Sequence, residues 1–220
     1  MSCDPFEMAL VHSGFRRELH NAAGLVRGVT DGDRNRAAVV ADHIDFMMTA
    51  IHFHHTAEDS VVWPKLTAKV SDRAERVGRM EDSHRAIDVA CQRVRETTIG
   101  WGRTADSSLA DEVVPLVEGL AELVDAHFDD EEDTIVPLIA ASLSPNEWRM
   151  FLAHGSAFVR AHPRRGLALG GIVLDGQPAD VRKRFLGNVP LPVRTIFNVV
   201  GDRVYDGYHN RVYGSTGQKI

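Results

Sequence analysis

The sequence predicts an all-α protein, an up-down-up-down four-helix bundle with a helical C-terminal extension. Four segments repeat apolar residues at spacings of three and four, which is the period of an amphipathic helix. The connections between them are short, so consecutive helices should pack antiparallel. The chain has 220 residues, 44% of them hydrophobic, which is enough for one buried core. We expect the bundle over residues 4–141 and the extension, packed on the bundle, over residues 142–220.

The first helix should begin at Asp4 and Pro5, a cap followed by a first helical position, and end near residues 28–32. The second helix is expected over about residues 33–69. Pro64 lies inside this second pattern. Because proline lacks an amide hydrogen and clashes with the preceding turn, we expect a kink or a break there.

The third helix should begin at Ser71, which can act as a cap, and its apolar stripe continues to Val94. Residues 98–107 are expected to form a loop because they contain Gly100 and Gly102. The fourth bundle helix follows this loop. We find no sequence repeat at a fixed period.

The extension should begin with a fifth helix that ends near Arg160. Ser144 and Glu147 have the S-x-x-E spacing of a capping box, which marks the start of a helix. A stretch rich in Gly, Pro and Arg follows it. Two more helices are expected beyond that stretch, at about residues 178–187 and 192–213.

Composition argues against several classes of function. The formal net charge is −6 and the Lys and Arg residues are not clustered, which opposes a role in nucleic-acid binding. The sequence has no apolar run of about 20 residues and its N-terminus does not resemble a signal peptide, so we expect a cytoplasmic protein without membrane contact. Cys3 and Cys91 do not form a CxxC pair, so a thiolate metal site is not expected.

Two pairs of residues point to a metal site inside the bundle. His54 and Glu58 are four residues apart, as are His127 and Glu131, so each pair projects from one side of its helix. Both pairs lie within the apolar, core-facing stripe, where an unpaired carboxylate costs several kcal/mol. Because these stripes contain no Lys or Arg, metal cations are the expected source of positive charge.

His12 on the first helix and His84 on the third occupy the corresponding stripe positions. Imidazole and carboxylate ligands suit iron, manganese or zinc rather than calcium or magnesium. No other catalytic residue is predicted. The predicted metal ligands are His12, His54, Glu58, His84, His127 and Glu131.

Four segments resemble the ligand helices of hemerythrin-like, or HHE cation-binding, proteins, and the resemblance covers roughly residues 4–141. It implies a non-haem diiron centre that Glu58 and Glu131 bridge together with an oxo or hydroxo group, with the histidines as terminal ligands. Dioxygen, hydrogen peroxide or nitric oxide would then bind at an open iron position. The segments are VHSGFRREL, IHFHHTAEDSVVWPKL, MEDSHRAID and HFDDEEDTIVPLI.

The sequence departs from the oxygen-carrying members of that family in two ways. Those members have a fifth histidine from an HxxxH pair on the third helix, whereas Met80 and Asp88 stand four residues from His84 here. They also place the last carboxylate five residues after histidine, so Glu132 could substitute for Glu131, although we prefer Glu131. Fewer protein nitrogens leave more exchangeable metal positions, provided that no other side chain fills the gap.

Other histidines lie near the predicted ligands. His20 could replace His12, but it lies one position off the apolar stripe. His52 and His55 flank His54 and should point about 200° and 100° away from it, so neither is expected to reach the same metal. His154 in the fifth helix could supply the fifth nitrogen.

Two functions follow from this interpretation. The first is an enzyme of oxidative or nitrosative stress handling, with hydrogen peroxide disproportionation favoured over oxygen storage. The second is a module that senses oxygen, nitric oxide or iron without turnover and changes the docking of its extension. In both cases the partners are small molecules, and the sequence identifies no protein partner.

Overall fold

A computed structural model describes residues 2–70 and 74–214, and every secondary-structure element in these ranges is helical. Four long helices pack in a ring in which each contacts its sequence neighbours, so the predicted all-α bundle is confirmed. Ser71, the predicted start of the third helix, lies outside the described residues. No helix within the described ranges is long and apolar enough to cross a membrane. The long helices are α1 (Phe6–Arg27), α2 (Arg34–Ala57), α4 (Ala74–Thr104) and α5 (Ser107–Asp130).

Two of these helices are each extended by a π-helical turn and a short α-helix. The turn Glu58–Val62 leads into α3 (Trp63–Lys69), and Glu131–Ile135 leads into α6 (Val136–Ser142). In both turns the amide that follows bonds to the carbonyl of the first residue, five positions earlier. The interruption expected at Pro64 is therefore present, as a π turn just before the proline. Such turns often occur at functional sites.

The candidate ligands form a polar layer between two apolar clusters. On α1, Met8 belongs to one cluster and Phe15 to the other, with His12 between them. His84 on α4 is flanked in the same way. Burying each large apolar side chain contributes roughly 1.5–3 kcal/mol, so the apolar clusters stabilise the bundle and offset the cost of the polar layer.

The prediction of a loop over residues 98–107 is wrong for most of this range, because α4 continues to Thr104. A Cβ on Gly102 would lie only 2.7 Å from the Cβ of Ala41, so this glycine allows α4 to approach α2 closely. The chain turns at Ala105 instead, which has a φ of 56°. The glycines that suggested a loop belong to a helix, and Gly102 is required by helix packing.

The extension contains five helices and one π-helical turn, and its first helix begins with the predicted capping box at Ser144. The region predicted as one helix over 192–213 is two α-helices joined by that turn. The elements are α7 (Pro145–Ala161), α8 (Pro163–Leu174), α9 (Ala179–Asn188), α10 (Leu191–Ile196), the π turn Phe197–Gly201 and α11 (Asp202–Tyr213).

Helix α8 forms from the Gly-, Pro- and Arg-rich stretch, for which no helix was predicted. A Cβ on Gly166 would lie 2.6 Å from the Cα of Val159, and one on Gly171 would lie 2.4 Å from the Cβ of Tyr205. These glycines therefore let α8 pack tightly against α7 and α11.

The extension packs on the bundle through α8 and α11. The hydroxyl of Tyr213 donates to Oε2 of the buried Glu18 at 2.7 Å, and the hydroxyl of Tyr208 lies 2.6 Å from Nδ1 of the buried His43. These contacts join α11 to α1 and α2. The division of the chain into domains at residue 141 stays a prediction.

A pH dependence of stability follows from His43. Burial lowers its pKa to about 4, from 6.5 for an ordinary histidine. The unfolded chain therefore binds more protons between these pH values, and the free energy of unfolding decreases as the pH falls through this window. We expect His43→Gln to reduce the stability loss between pH 7 and pH 5 by about 2 kcal/mol, measured by urea unfolding.

His20→Gln is the matched control for this experiment, because the side chain of His20 is 56% exposed beside Asp125. The control makes the same substitution at a surface histidine. Equal losses of stability in His43→Gln and in the unmodified protein would contradict the assignment to His43.

Candidate metal centre

The six predicted ligands meet inside the bundle, and the most exposed of them, His54, is only 8% exposed. They fall into two groups, and within each group one ligand atom from every residue lies within 4.8 Å of the others. A seventh residue, His55, joins the second group. The first group is His12, His54, Glu58 and Glu131, and the second is His55, His84 and His127.

Glu58 lies between the two groups. Its Oε1 is 3.1 Å from Nε2 of His54, in the first group, and its Oε2 is 3.6 Å from Nε2 of His84, in the second. One carboxylate thus presents an oxygen to each set of imidazoles. This is the placement that a carboxylate bridging two cations requires.

Glu131 occupies the equivalent position on α5. Its Oε2 is 3.4 Å from Nε2 of His12 and 3.8 Å from Nε2 of His127, so it also faces both groups. Nε2 of His12 and Nε2 of His54 lie 3.0 Å apart, which shows how closely the first group converges. The arrangement suits a dinuclear centre with two shared carboxylates.

Two further acidic residues orient the imidazoles from outside. Nδ1–H of His12 donates to Oε1 of Glu132, and Nδ1–H of His84 donates to Oδ1 of Asp59, each at 2.8 Å. Such bonds fix the ring so that Nε2 points inward as a ligand. Glu132 is one-third exposed and contacts His12 from outside, whereas Glu131 is fully buried, which agrees with the preference for Glu131.

His55 does not share a group with His54, as expected, but it belongs to the site through the second group. His55 is 2% exposed, and its ring stacks on that of His84 with centroids 4.0 Å apart and planes within 6°. A site for two metal ions is wider than a site for one, so two consecutive residues of α2 can reach its two sides. His54 belongs to the first group and His55 to the second. His55 thus takes the place foreseen for His154, which belongs to neither group.

Two other histidines lie on the surface, as expected. The side chain of His20 is 56% exposed and that of His52 is 63% exposed, and they pair with Asp125 and Asp88. The structure therefore brings His12, and not His20, into the interior.

The two halves of the site form an internal repeat. The prediction that the sequence contains no repeat at a fixed period is therefore wrong. The position of His55 is taken in the second half by Phe128, which stacks on His12 at 3.8 Å just as His55 stacks on His84. This single difference gives one group three imidazoles and the other two. The signal was present in the sequence, where His54, Glu58, Asp59 and Pro64 recur 73 residues later as His127, Glu131, Glu132 and Pro137.

The protein groups alone leave the site electrostatically incomplete. Burial raises the pKa of Glu58 and of Glu131, and it lowers the pKa of His12 and His127 to about 3. Apart from their approach to each other, the oxygens of the two glutamates have no hydrogen-bond donor among the described residues. Neutral imidazoles around unpartnered buried carboxyl groups fit metal cations, which would supply the missing charge.

Comparison with known proteins agrees with this geometry. Residues 7–139, more than half of the chain, match the family model described as Hemerythrin HHE cation binding domain. All seven residues of the two groups fall within the matched range. No curated protein and no solved structure matches the chain significantly.

His55 can be tested by metal content. His55→Ala removes one nitrogen from the three-imidazole group, so we expect purified variant protein to hold fewer than two metal ions per chain, measured by inductively coupled plasma mass spectrometry. His52→Ala, three residues away on the surface of α2, should keep the full content. A full metal content in a correctly folded His55→Ala variant would contradict the role of His55.

The outer hydrogen bonds should tune metal affinity. Glu132→Gln weakens the acceptor for His12 without changing its size, so we expect about 10- to 100-fold lower affinity in a chelator competition. Asp125→Asn makes the same chemical change beside the exposed His20 and should leave the affinity unaltered. If both variants behave alike, the bond to His12 does not support the metal.

Proposed function

Because the chain belongs to the hemerythrin HHE cation-binding family, we propose that it holds two iron ions in the bundle and binds dioxygen or nitric oxide there. The supporting observation is that two buried glutamates span a two-imidazole and a three-imidazole group. The proposed ligands are His12, His54, His55, His84, His127, Glu58 and Glu131.

The choice of iron rests on ligand chemistry and on the family resemblance. Imidazole and carboxylate ligands suit iron, manganese and zinc, and they argue against calcium and magnesium. Both cysteines are buried away from the two groups: the thiol of Cys3 donates to the carbonyl of Ile139, and Cys91 lies in the apolar cluster. Among the remaining metals, the resemblance to hemerythrin-like proteins favours iron.

The two-imidazole side is the proposed place for the small molecule. If both glutamates bridge, the metal ion near His12 and His54 has one protein nitrogen fewer than the ion near His55. At equal coordination number it therefore keeps one more exchangeable position. Bound iron would supply the redox and ligand-binding chemistry, while the protein supplies the asymmetry between the two positions.

Apolar walls favour dioxygen and nitric oxide over more polar molecules. Phe128 stacks on His12, and the rings of Phe15 and Phe151 lie 5.8 and 5.9 Å from the ring of His54. These three phenylalanines make the two-imidazole side a weakly polar environment. Small uncharged molecules enter such a space without losing hydrogen bonds to water.

Peroxide disproportionation is the second candidate. The exchangeable position near His12 and His54 supports it, because turnover requires a site where peroxide can bind. A missing fifth nitrogen would have favoured turnover over oxygen storage, but His55 offers that nitrogen in the three-imidazole group. We therefore rank binding of a diatomic molecule first.

A sensing role is one way in which binding could be used. Phe151 belongs to α7 of the extension and its ring contacts that of His54. A change at the two-imidazole side would thus reach the extension directly. In this role, the protein would bind oxygen or nitric oxide in the cytoplasm and act as a sensor without turnover.

The proposed function predicts distinct spectra for iron-loaded protein. Reduced protein exposed to dioxygen or nitric oxide should give a stable change in its ultraviolet-visible spectrum that reverses on removal of the gas, at two irons per chain. Rapid oxygen evolution from added hydrogen peroxide would instead support disproportionation. Iron-loaded protein that responds to none of the three molecules would contradict both candidates.

The ligand assignment predicts loss of iron together with loss of stability. His54→Ala and Glu131→Ala should each lower the iron content and the thermal midpoint, because metal binding and folding are coupled. His154→Ala is the control, since His154 belongs to neither group. Unchanged iron content in both ligand variants would contradict the site.

A further inference from the structure

A cavity that is partly open to solvent lies between the bundle and the extension. Its volume is about 180 Å³, and it is bounded by α1 and α2 on one side and by α7 to α10 on the other. Its wall is almost entirely apolar and includes one face of His54. Ala50 lines it from α2 and Val193 from α10.

Helices α9 and α10 cover this cavity, although neither helix has a fully buried residue. Phe185 and Leu186 of α9 pack against the cluster of Leu167, Leu174 and Phe197. Both side chains, together with Val189 between the two helices and Val193 of α10, also line the cavity and are only half-buried. An apolar molecule inside would cover these side chains and complete the packing of the segment.

The polar groups at the cavity wall are already engaged within the chain. Nε1–H of Trp148 donates to Oε2 of Glu7 at 3.0 Å, and the amide of Asn188 donates to Oε1 of the same carboxylate. The second bond also ties the end of α9 to α1. Nε2 of His54 is directed to Glu58 and His12. Both oxygens of the Glu7 carboxylate are thus occupied by donors from the chain, and the rest of the wall presents mostly apolar surface to an occupant.

The size of the cavity limits the occupant. An apolar cavity of about 150 Å³ engineered into another protein stays dry and binds benzene. The space here is slightly larger, so a single ring or a short hydrocarbon chain fits, whereas a diatomic gas would leave most of it unfilled.

We propose that this cavity is a binding site for an uncharged, apolar organic molecule of about one-ring size, partly covered by α9 and α10 and lined by His54. The site goes beyond the proposed gas binding and does not depend on it, because its walls are formed by apolar packing. Its occupant would lie beside the two-imidazole side of the metal centre.

The proposal is tested with toluene as the probe and benzoate as its charged counterpart, on the full chain as purified with its metal. Isothermal titration should detect toluene binding, and saturating toluene should raise the thermal midpoint. Benzoate should do neither. Failure of toluene to bind the unmodified protein would overturn the proposal.

A pair of matched variants locates the site. Val193→Phe fills the cavity from α10 and should weaken toluene binding at least tenfold. Val199→Phe makes the same change six residues later, at a position that is 75% exposed and outside the cavity wall, and should bind toluene within twofold of the unmodified protein. Equal toluene affinity in both variants would overturn the proposal.

Ala50→Leu provides a second filling variant from the opposite wall, because Ala50 is 2% exposed and lines the cavity from α2. It decides the outcome if Val193→Phe loses its helical circular dichroism. We expect Ala50→Leu to weaken toluene binding at least tenfold, and undiminished binding would overturn the proposal. Metal content is measured in every variant, so loss of metal is distinguished from loss of the apolar site.

Discussion

The structure depends on the burial of two carboxyl groups in a bundle interior where, among the described residues, no Lys or Arg side chain is buried to match them. Glu58 and Glu131 are fully buried, and the imidazoles around them are neutral because burial lowers the pKa of His12, His54 and His127. Apolar clusters above and below stabilise the bundle, but they cannot solvate these oxygens. Metal cations bound between the carboxylates would resolve this imbalance, so we expect metal binding to stabilise the fold.

The internal repeat explains why the site is nearly symmetric and why it is not fully so. Each half supplies a glutamate at the first residue of a π turn and an outer acid that holds a histidine of another helix. His55 in one half and Phe128 in the other occupy the same place. That single exchange gives the two groups different numbers of imidazoles, and two metal ions bound there would differ in reactivity.

The bundle and six of the seven grouped residues were predictable, because a histidine and a glutamate four residues apart on an apolar stripe are buried side by side. His55 was missed because the sequence argument assumes one metal ion on one side of α2. A site for two metal ions can accept side chains that point about 100° apart around the helix. By sequence alone, the glycines in α4 and α8 favour loops, but Gly102 and Gly166 mark close helix contacts. The cavity depends on packing between distant segments, which local sequence patterns do not encode.

The most direct test of the dinuclear centre is anomalous diffraction at the iron absorption edge from crystals of iron-loaded protein. We expect two peaks between Glu58 and Glu131. One should lie beside His12 and His54, and the other beside His55, His84 and His127. A single peak, or two peaks with His55 turned away from both, would contradict this expectation.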